Sequence, residues 1–372
     1  MAITIIRFVR FIDFSGGAGI GSKMLSEYFP SMFVGLYNKT PEQVKEIVFN
    51  FPIYNAKDII QKIYIPYRLA KFISFFLKFF TGFRFRKFLK KFDKNKVILH
   101  FHHLHFFYPL VKVAEDMGYI VLVTVHQELK GMFPILKKIA KLNHAKSKCK
   151  FVVFTNDTLN IFNSKFPNLF VKKICNAVSI SHVMNSTDEF PKLQKGVFSF
   201  GCVSRLNPEK GIDILIKAFR VVINNSNSDL KLFIIGKGPL FEELTSLIDD
   251  LNLKNNVFLL GYVDNVKEFF SHIDVYVQPS RREAFGRALI EATYFGKICV
   301  ASDIPGNREV LGSAGVYFES ENVSALAQTL LDIYNSFEKY KHFGDLAKKR
   351  STFFSEEAFI ENYRDLYTSL IK

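Results

Sequence analysis

Residues 200–211 read Phe200-Gly201-Cys202-Val203-Ser204-Arg205-Leu206-Asn207-Pro208-Glu209-Lys210-Gly211, and residues 281–292 read Arg281-Arg282-Glu283-Ala284-Phe285-Gly286-Arg287-Ala288-Leu289-Ile290-Glu291-Ala292. In the first stretch an apolar run of strand length gives way to a polar loop, and residues of helical period follow over Gly211–Asn224. In the second, a loop leads from the apolar run Val275–Val277 into a helix. Outward from these two points the alternation continues. Strands are predicted at Phe198–Val203, Leu230–Ile235, Val257–Leu260 and Ile298–Ala301, with helices at Phe241–Leu251 and Val266–Phe270. Ala301–Glu309 reads as a strand followed by a turn. Short strands separated by helices need crossover connections, which makes the sheet parallel with helices on its faces.

The N-terminal half shows the same alternation. Ile3–Phe14 is β-rich and runs through the glycine-rich Ser15–Gly21 into a helix from Ser22. Val97–His100, Tyr119–Val125 and Phe151–Thr155 are strand-like, and Asp157–Phe166 is helical in period. A polar, Pro-containing stretch near 186–196 separates the halves. The expected fold is therefore α/β, with two tandem Rossmann-like doubly wound domains facing a central cleft. Their expected spans are 1–188 and 189–350, with 351–372 a C-terminal helix packing back on the N-terminal domain. Ligands of such sheets bind at the carboxyl ends of the strands.

Composition agrees with two domains. The chain has 372 residues, 48% hydrophobic and 23% charged, with 42 Phe; that apolar content excludes a largely disordered chain. Cys149, Cys175, Cys202 and Cys299 form no close pair, which argues against a zinc ribbon or redox motif. Arg7 and Arg10 interrupt the apolar N-terminus, so no signal peptide is read there. No stretch reaches the roughly 20 apolar residues that span a bilayer. A cytoplasmic protein is expected.

The formal charge of +15 is uneven. Residues 1–190 hold 28 Lys/Arg and 12 Asp/Glu, a net +16, which leaves 22 and 23, a net −1, for the remainder. Residues 57–96 alone hold 12 basic and 2 acidic residues. An anionic partner for the N-terminal half follows. The same region is dense in Phe, and Arg68, Lys71 and Lys78 share one helical face with Leu69, Phe72, Ile73 and Phe76 mainly on others. Residues 59–92 thus read either as an interfacial helix on an anionic membrane surface or as a helix packed on its own domain. No recognised nucleic-acid-binding motif is present, and nucleic acid is not expected as a partner.

Arg205 and Lys210, ahead of a helix, suit a diphosphate, although loop cations are also commonly just solvated. Glu283 and Glu291 would lie about 12 Å apart along a continuous helix, roughly a sugar–diphosphate–ribose length. Glu283 is expected just before that helix, with the amides of Phe285 and Gly286 at its N-terminus between the carboxylates. The bland alternative is a Glu favouring the helix dipole and an ordinary helical Glu. The run His100-Phe101-His102-His103-Leu104-His105 invites a metal reading, but no Cys or Asp sits beside it. Histidines lining a strand end are the preferred reading, and no metal is expected.

Taken together these segments resemble the retaining GT-B glycosyltransferases, specifically glycosyltransferase family 4 (glycosyl transferases group 1). The resemblance lies in Ser204–Gly211, the glycine loop Gly236–Gly238, Leu259-Leu260-Gly261-Tyr262-Val263, Glu283–Glu291 and Pro305–Glu309. In the first half it is looser: Gly16-Gly17, Thr124-Val125-His126, and Asn176-Ala177-Val178-Ser179 where the family usually has N-G-V-D. The resemblance implies that Arg205 and Lys210 grip the donor diphosphate and that Glu283 and His126 contact the donor sugar. Glu291 would bind the ribose, and Gly261-Tyr262-Val263 the base. The amides of Gly16 and Gly17 would approach phosphates or acceptor; Gly236, Gly238, Phe285 and Gly286 complete the donor site. The implied activity is metal-independent transfer, with retention, from a UDP- or GDP-sugar. The expected acceptor is a lipid-linked glycan in cell-surface polysaccharide or lipopolysaccharide synthesis, reached by a protein peripherally bound to the inner face of the membrane. A soluble or protein acceptor, or a catalytically silent scaffold, are the alternatives.

Overall fold

The computed structural model describes residues 4–11, 24–26, 28–29, 31–37, 47–50, 82–102, 104–126, 132–142, 149–178, 197–226, 228–263 and 266–371. The chain divides into two compact units, Met1–Cys175 with Phe359–Lys372, and Asn176–Ala358.

The first unit is built on a parallel sheet in the order β3-β2-β1-β4-β5-β6-β7. Its strands are β1 (Thr4–Phe11), β2 (Ser31–Tyr37), β3 (Ile47–Asn50), β4 (Val97–Phe101), β5 (Ile120–Thr124), β6 (Cys149–Val153) and β7 (Phe170–Lys173). Helices α1 (Leu104–Asp116), α2 (Phe133–Leu142) and α3 (Asn156–Lys165) supply crossovers. Thr155 caps α3 by accepting from the Thr158 amide at 3.2 Å. All five residues of β4 are buried, as a central strand covered on both faces must be. In β1 and β4, Phe8 stands opposite Phe101, and the two rings stack at 4.1 Å.

The second sheet runs β10-β9-β8-β11-β12-β13, also parallel. These strands are β8 (Ser199–Val203), β9 (Lys231–Ile235), β10 (Val257–Gly261), β11 (Val275–Gln278), β12 (Ile298–Ser302) and β13 (Val316–Phe318). Helices α4 (Ile212–Asn224), α5 (Phe241–Asp250), α6 (Val266–His272), α7 (Arg287–Tyr294), α8 (Pro305–Leu311), α9 (Val323–Asn335) and α10 (Phe337–Ser351) accompany it. Helix α4 buries Ile212, Leu215, Ile216, Phe219 and Val222 at helical spacing against the sheet. Both sheets carry the strand order of a dinucleotide-binding fold, with the order reversing between β1 and β4 and between β8 and β11.

Two readings change. The segment after β12 is a helix rather than a turn: Pro305 occupies its first turn, and the extended backbone of Ile304 is what a residue before proline prefers. Strands β2, β3, β7 and β13 were not anticipated; the last three are only 4, 4 and 3 residues long.

Residues 59–81 of the basic aromatic segment lie outside the described residues. In the helical residues 82–89, Phe85, Phe88 and Leu89 are buried in the unit's own core while Arg84, Arg86 and Lys87 are exposed. The Phe85 ring meets Phe8 edge-on at 5.6 Å. These apolar residues close the first unit, leaving its basic side in water. Among the described residues no helix is long and apolar enough to cross a membrane.

Replacing Phe85 with Ala should lower the unfolding free energy by about 3–5 kcal/mol. Lys87→Gln should change it by less than about 0.5 kcal/mol. Urea denaturation followed by circular dichroism distinguishes the two.

Candidate active site

The carboxyl edge of the second sheet gathers most of the predicted residues. Arg205 follows β8, and the chain then makes a single turn at Pro208–Lys210 before α4. Glu283 lies on the loop from β11 to α7, as expected. Lys210 Nζ donates to Glu283 Oε2, with each side chain only 12% exposed. An ion pair so far withdrawn from water is screened little by salt.

Three contacts bring these loops together. Gly211 has φ +66°, and a Cβ there would stand 2.1 Å from the Pro279 carbonyl oxygen, so the turn closes only on glycine. Arg281 donates from both terminal nitrogens to the two Asp213 carboxylate oxygens at 2.8 Å each. Its amide donates to the Glu209 carbonyl at 2.9 Å. Although burial works the other way, Arg281 holds the Asp213 carboxyl below its ordinary pKa.

Residues not anticipated from sequence fix Glu283 further. Buried Gln278 donates from Nε2 to Ser280 Oγ at 2.9 Å and to Glu283 Oε2 at 3.3 Å. The Tyr276 hydroxyl donates to Gln278 Oε1 at 2.7 Å. Gly306, at the start of α8, lies so near that a Cβ would stand 2.1 Å from the Glu283 carbonyl oxygen. The signal in sequence was a polar residue closing an apolar strand at Gln278.

The other predicted residues spread along this edge. The Arg205 side chain is 72% exposed and lies 4.0 Å from Glu209. Gly236 and Gly238 pack against the carbonyls of Ser204 and Leu206, on either side of Arg205, and so seat its loop. Tyr262 is exposed, with Lys237 Nζ 4.9 Å over its ring, and Val263 is half-buried. Phe285 is buried with its ring edge-on to Phe354 at 5.6 Å. Gly286 is the N-cap of α7, which has no side-chain cap. The exposed cation, the Lys210–Glu283 pair and this helix terminus make an edge that can stabilise an anion and present a carboxylate.

Glu291 sits in α7, one turn beyond Arg287. Because Glu283 precedes the helix, the two glutamates do not share it. Burial pushes the Glu291 carboxyl up to about 6, with Arg287 acting against that rise.

In the first unit, His126 follows β5, and His102 follows β4. His102 Nδ1 and His126 Nε2 are 3.0 Å apart. His100 has both ring nitrogens in hydrogen bonds, with Arg7 and Tyr367 on one and Thr124 on the other. Burial first, and Arg7 second, hold its pKa well below the ordinary value. Gly16 and Gly17 lie outside the described residues.

Comparison with known proteins bears on the second unit above all. Residues 185–350 match the family model of the glycosyl transferases group 1. Over 173 residues the chain is 30% identical to a poly(ribitol-phosphate) α-N-acetylglucosaminyltransferase of Staphylococcus aureus, covering 45% of this chain and 35% of that protein. It is 31% identical over 173 residues to a poly(glycerol-phosphate) α-glucosyltransferase of Bacillus subtilis, covering 46% and 26%. The chain thus spans about a third of the length of the one and about a quarter of the other. The structure of Anabaena HepE in complex with UDP and glucose superposes with a TM-score of 0.75 at 17% identity, covering 99% of this chain and 100% of that one. The fold is GT-B, with two Rossmann-like domains.

The raised pKa of Glu291 carries a stability consequence. The folded protein retains a proton that the unfolded chain has lost above about pH 4.5, so this group's contribution falls as pH rises through about 6. Glu291→Gln should therefore stabilise the protein at pH 7.5, by at most about 2 kcal/mol, and the gain should vanish near pH 4.5. Denaturation at both pH values measures it.

Proposed function

We propose that this chain is a glycosyltransferase that moves a sugar from a nucleotide-sugar to a glycan acceptor in cell-surface polysaccharide synthesis. The observation that carries the reading is the secluded Lys210–Glu283 pair at the carboxyl edge of the second sheet, inside the region that matches the group 1 model. The names of the Staphylococcus and Bacillus relatives, both sugar transferases acting on phosphate polymers, support the acceptor class. The HepE complex supports UDP as the first nucleotide to try; GDP is the second.

In this reading the donor diphosphate takes over the Lys210 ammonium and draws in Arg205 and the first amides of α7. Charge grows on the leaving phosphate as the glycosidic bond breaks, and these fixed donors stabilise it. Glu283, freed from Lys210, turns to the donor sugar, whose reacting carbon gains oxocarbenium character. His126 lies against the same sugar. Glu291 accepts from the ribose hydroxyls, and residues Gly261-Tyr262-Val263 meet the base. The leaving phosphate deprotonates the acceptor, so the configuration is retained without a side-chain nucleophile. The two cations supply the charge stabilisation, and no metal takes part.

The acceptor we propose is lipid-linked, with residues 59–92 docking on an anionic membrane. Exposed Arg84, Arg86 and Lys87 support that docking. A soluble acceptor is the second reading, favoured by the burial of Phe85, Phe88 and Leu89, which keeps those residues from lipid.

Lys210→Ala should slow turnover of the UDP- or GDP-sugar that the chain accepts by about 10²–10³-fold, with the fold intact by circular dichroism. Near-wild-type turnover would remove the assignment. Sedimentation with liposomes containing anionic lipid should retain the wild-type protein at low salt and release it as salt is added. Protein that stays in the supernatant at low salt selects the soluble acceptor.

A further inference from the structure

We infer that His102 is a positioning residue for His126, held from beneath by a row of polar side chains that the C-terminal helix completes. The inference rests on the reading above that His126 meets the donor sugar, and extends it to the residue that sets how His126 is presented.

The pleat of the sheet accounts for the row. Strands β4 and β5 pair with His100 opposite Leu122 and Phe101 opposite Val123. Because side chains alternate between faces, Leu99, Phe101, Val121, Val123 and Val125 fall on one face and enter the apolar core. His100, His102, Thr124 and His126 follow the opposite alternation. Arg7 of β1 stands opposite His100 and is fully buried. Over this polar row lies the helix α11 (Glu356–Ile371), whose residues from Phe359 onward belong to the first unit and which buries Tyr363 and Tyr367.

The proton arrangement at the base of the row is determined by Arg7, which can only donate. Its Nη1 lies 3.1 Å from His100 Nδ1 and 2.9 Å from the Tyr367 hydroxyl oxygen. His100 Nδ1 must therefore accept. The neutral ring then carries its proton on Nε2 and donates it to Thr124 Oγ1 at 2.7 Å. Thr124 Oγ1 is in turn 3.0 Å from the Tyr363 hydroxyl. His100 is thereby fixed in one neutral tautomer, in keeping with its depressed pKa. Its ring lies under that of His102, with centroids 4.2 Å apart and planes inclined by 30°.

His102 is thus seated on an immobile, uncharged ring while its Nδ1 faces His126 Nε2 at 3.0 Å. Two imidazole nitrogens at that distance share one proton, so one ring donates and the other accepts. The tautomer of His126 follows from that of His102. A neutral His102 accepting on Nδ1 also favours the protonated form of His126. The His100 ring meets His102 and the Phe154 ring lies 5.1 Å from His126, while Arg7 from β1, Thr124 from β5 and Tyr363 and Tyr367 from α11 surround His100 beneath them.

The experiment uses the full chain with UDP-glucose and compares His102→Phe, which keeps an aromatic ring but no nitrogen, with His102→Asn, whose amide reaches the position of Nδ1. Calorimetry with UDP serves as the control for an intact donor domain. Nitrogen-15 spectra of the histidine side chains, with the His126 signal identified by its loss in His126→Asn, report tautomer and pKa without requiring turnover. His102→Phe should alter the His126 tautomer pattern and lower its pKa. It should also reduce kcat about 10²-fold with the KM for UDP-glucose changed less than about threefold, and displace the acidic limb of the kcat–pH profile. His102→Asn should restore most of kcat. A His126 spectrum and pKa unchanged in His102→Phe overturn the inference, whether or not the protein turns over UDP-glucose. A changed spectrum with unchanged kcat upholds the coupling and overturns instead the contact of His126 with the donor sugar.

Discussion

Every strand of a parallel sheet delivers its carboxyl end to the same edge, and this constraint determines where the chemistry of the molecule can be. In the second unit it brings Arg205 after β8, Gly236 after β9, Tyr262 after β10, Glu283 after β11 and Gly306 after β12 onto one margin. Sequence neighbours could not achieve this, since these residues are spread over a hundred positions. The cost is that several loops crowd one edge. Glycine at 211 and 306, and the Arg281–Asp213 pair, are what allow the loops to approach closely enough for Lys210 to reach Glu283.

The electrostatics of that edge follow from this crowding. Lys210 and Glu283 are nearly covered, and burial of a charge is tolerable only when it is paired and hydrogen-bonded. Gln278 supplies the additional donor to Glu283. Arg205, by contrast, remains mostly in water. The two cations read together from one short loop are thus unequal: one is paired with a nearly covered carboxylate, and the other is mostly in water, 4.0 Å from Glu209.

The alternation of apolar runs and helical periods made both doubly wound sheets legible, because period is a local property. The loop residues Arg205, Lys210, Glu283 and Glu291 stood out in the sequence because their spacing and surroundings resemble a known family. What could not be read depends on how loops fold back and strands pair. Gln278 counts as a strand residue in sequence and becomes a support for Glu283 only when the loop after β11 folds back on the strand end. The run of histidines was visible, and strand spacing puts His100 and His102 on one face, but the placing of His102 against His126 needed the register of β4 with β5. Pro305 read as a turn because its power to start a helix shows only when the following residues have a surface to pack on.

The buried bond between Arg7 and Tyr367 joins residues 360 positions apart. Between them in the chain lies the whole of the second unit. During synthesis, Arg7 emerges long before the hydroxyl that will accept from it exists. The first unit consequently cannot reach its final packing one domain at a time in the order of translation, as most multidomain chains do. It must wait, with a cation and a row of histidines uncovered, until the second unit has been made and α11 returns to seal it. The long loop that this closure spans also makes it a slow, late event in folding.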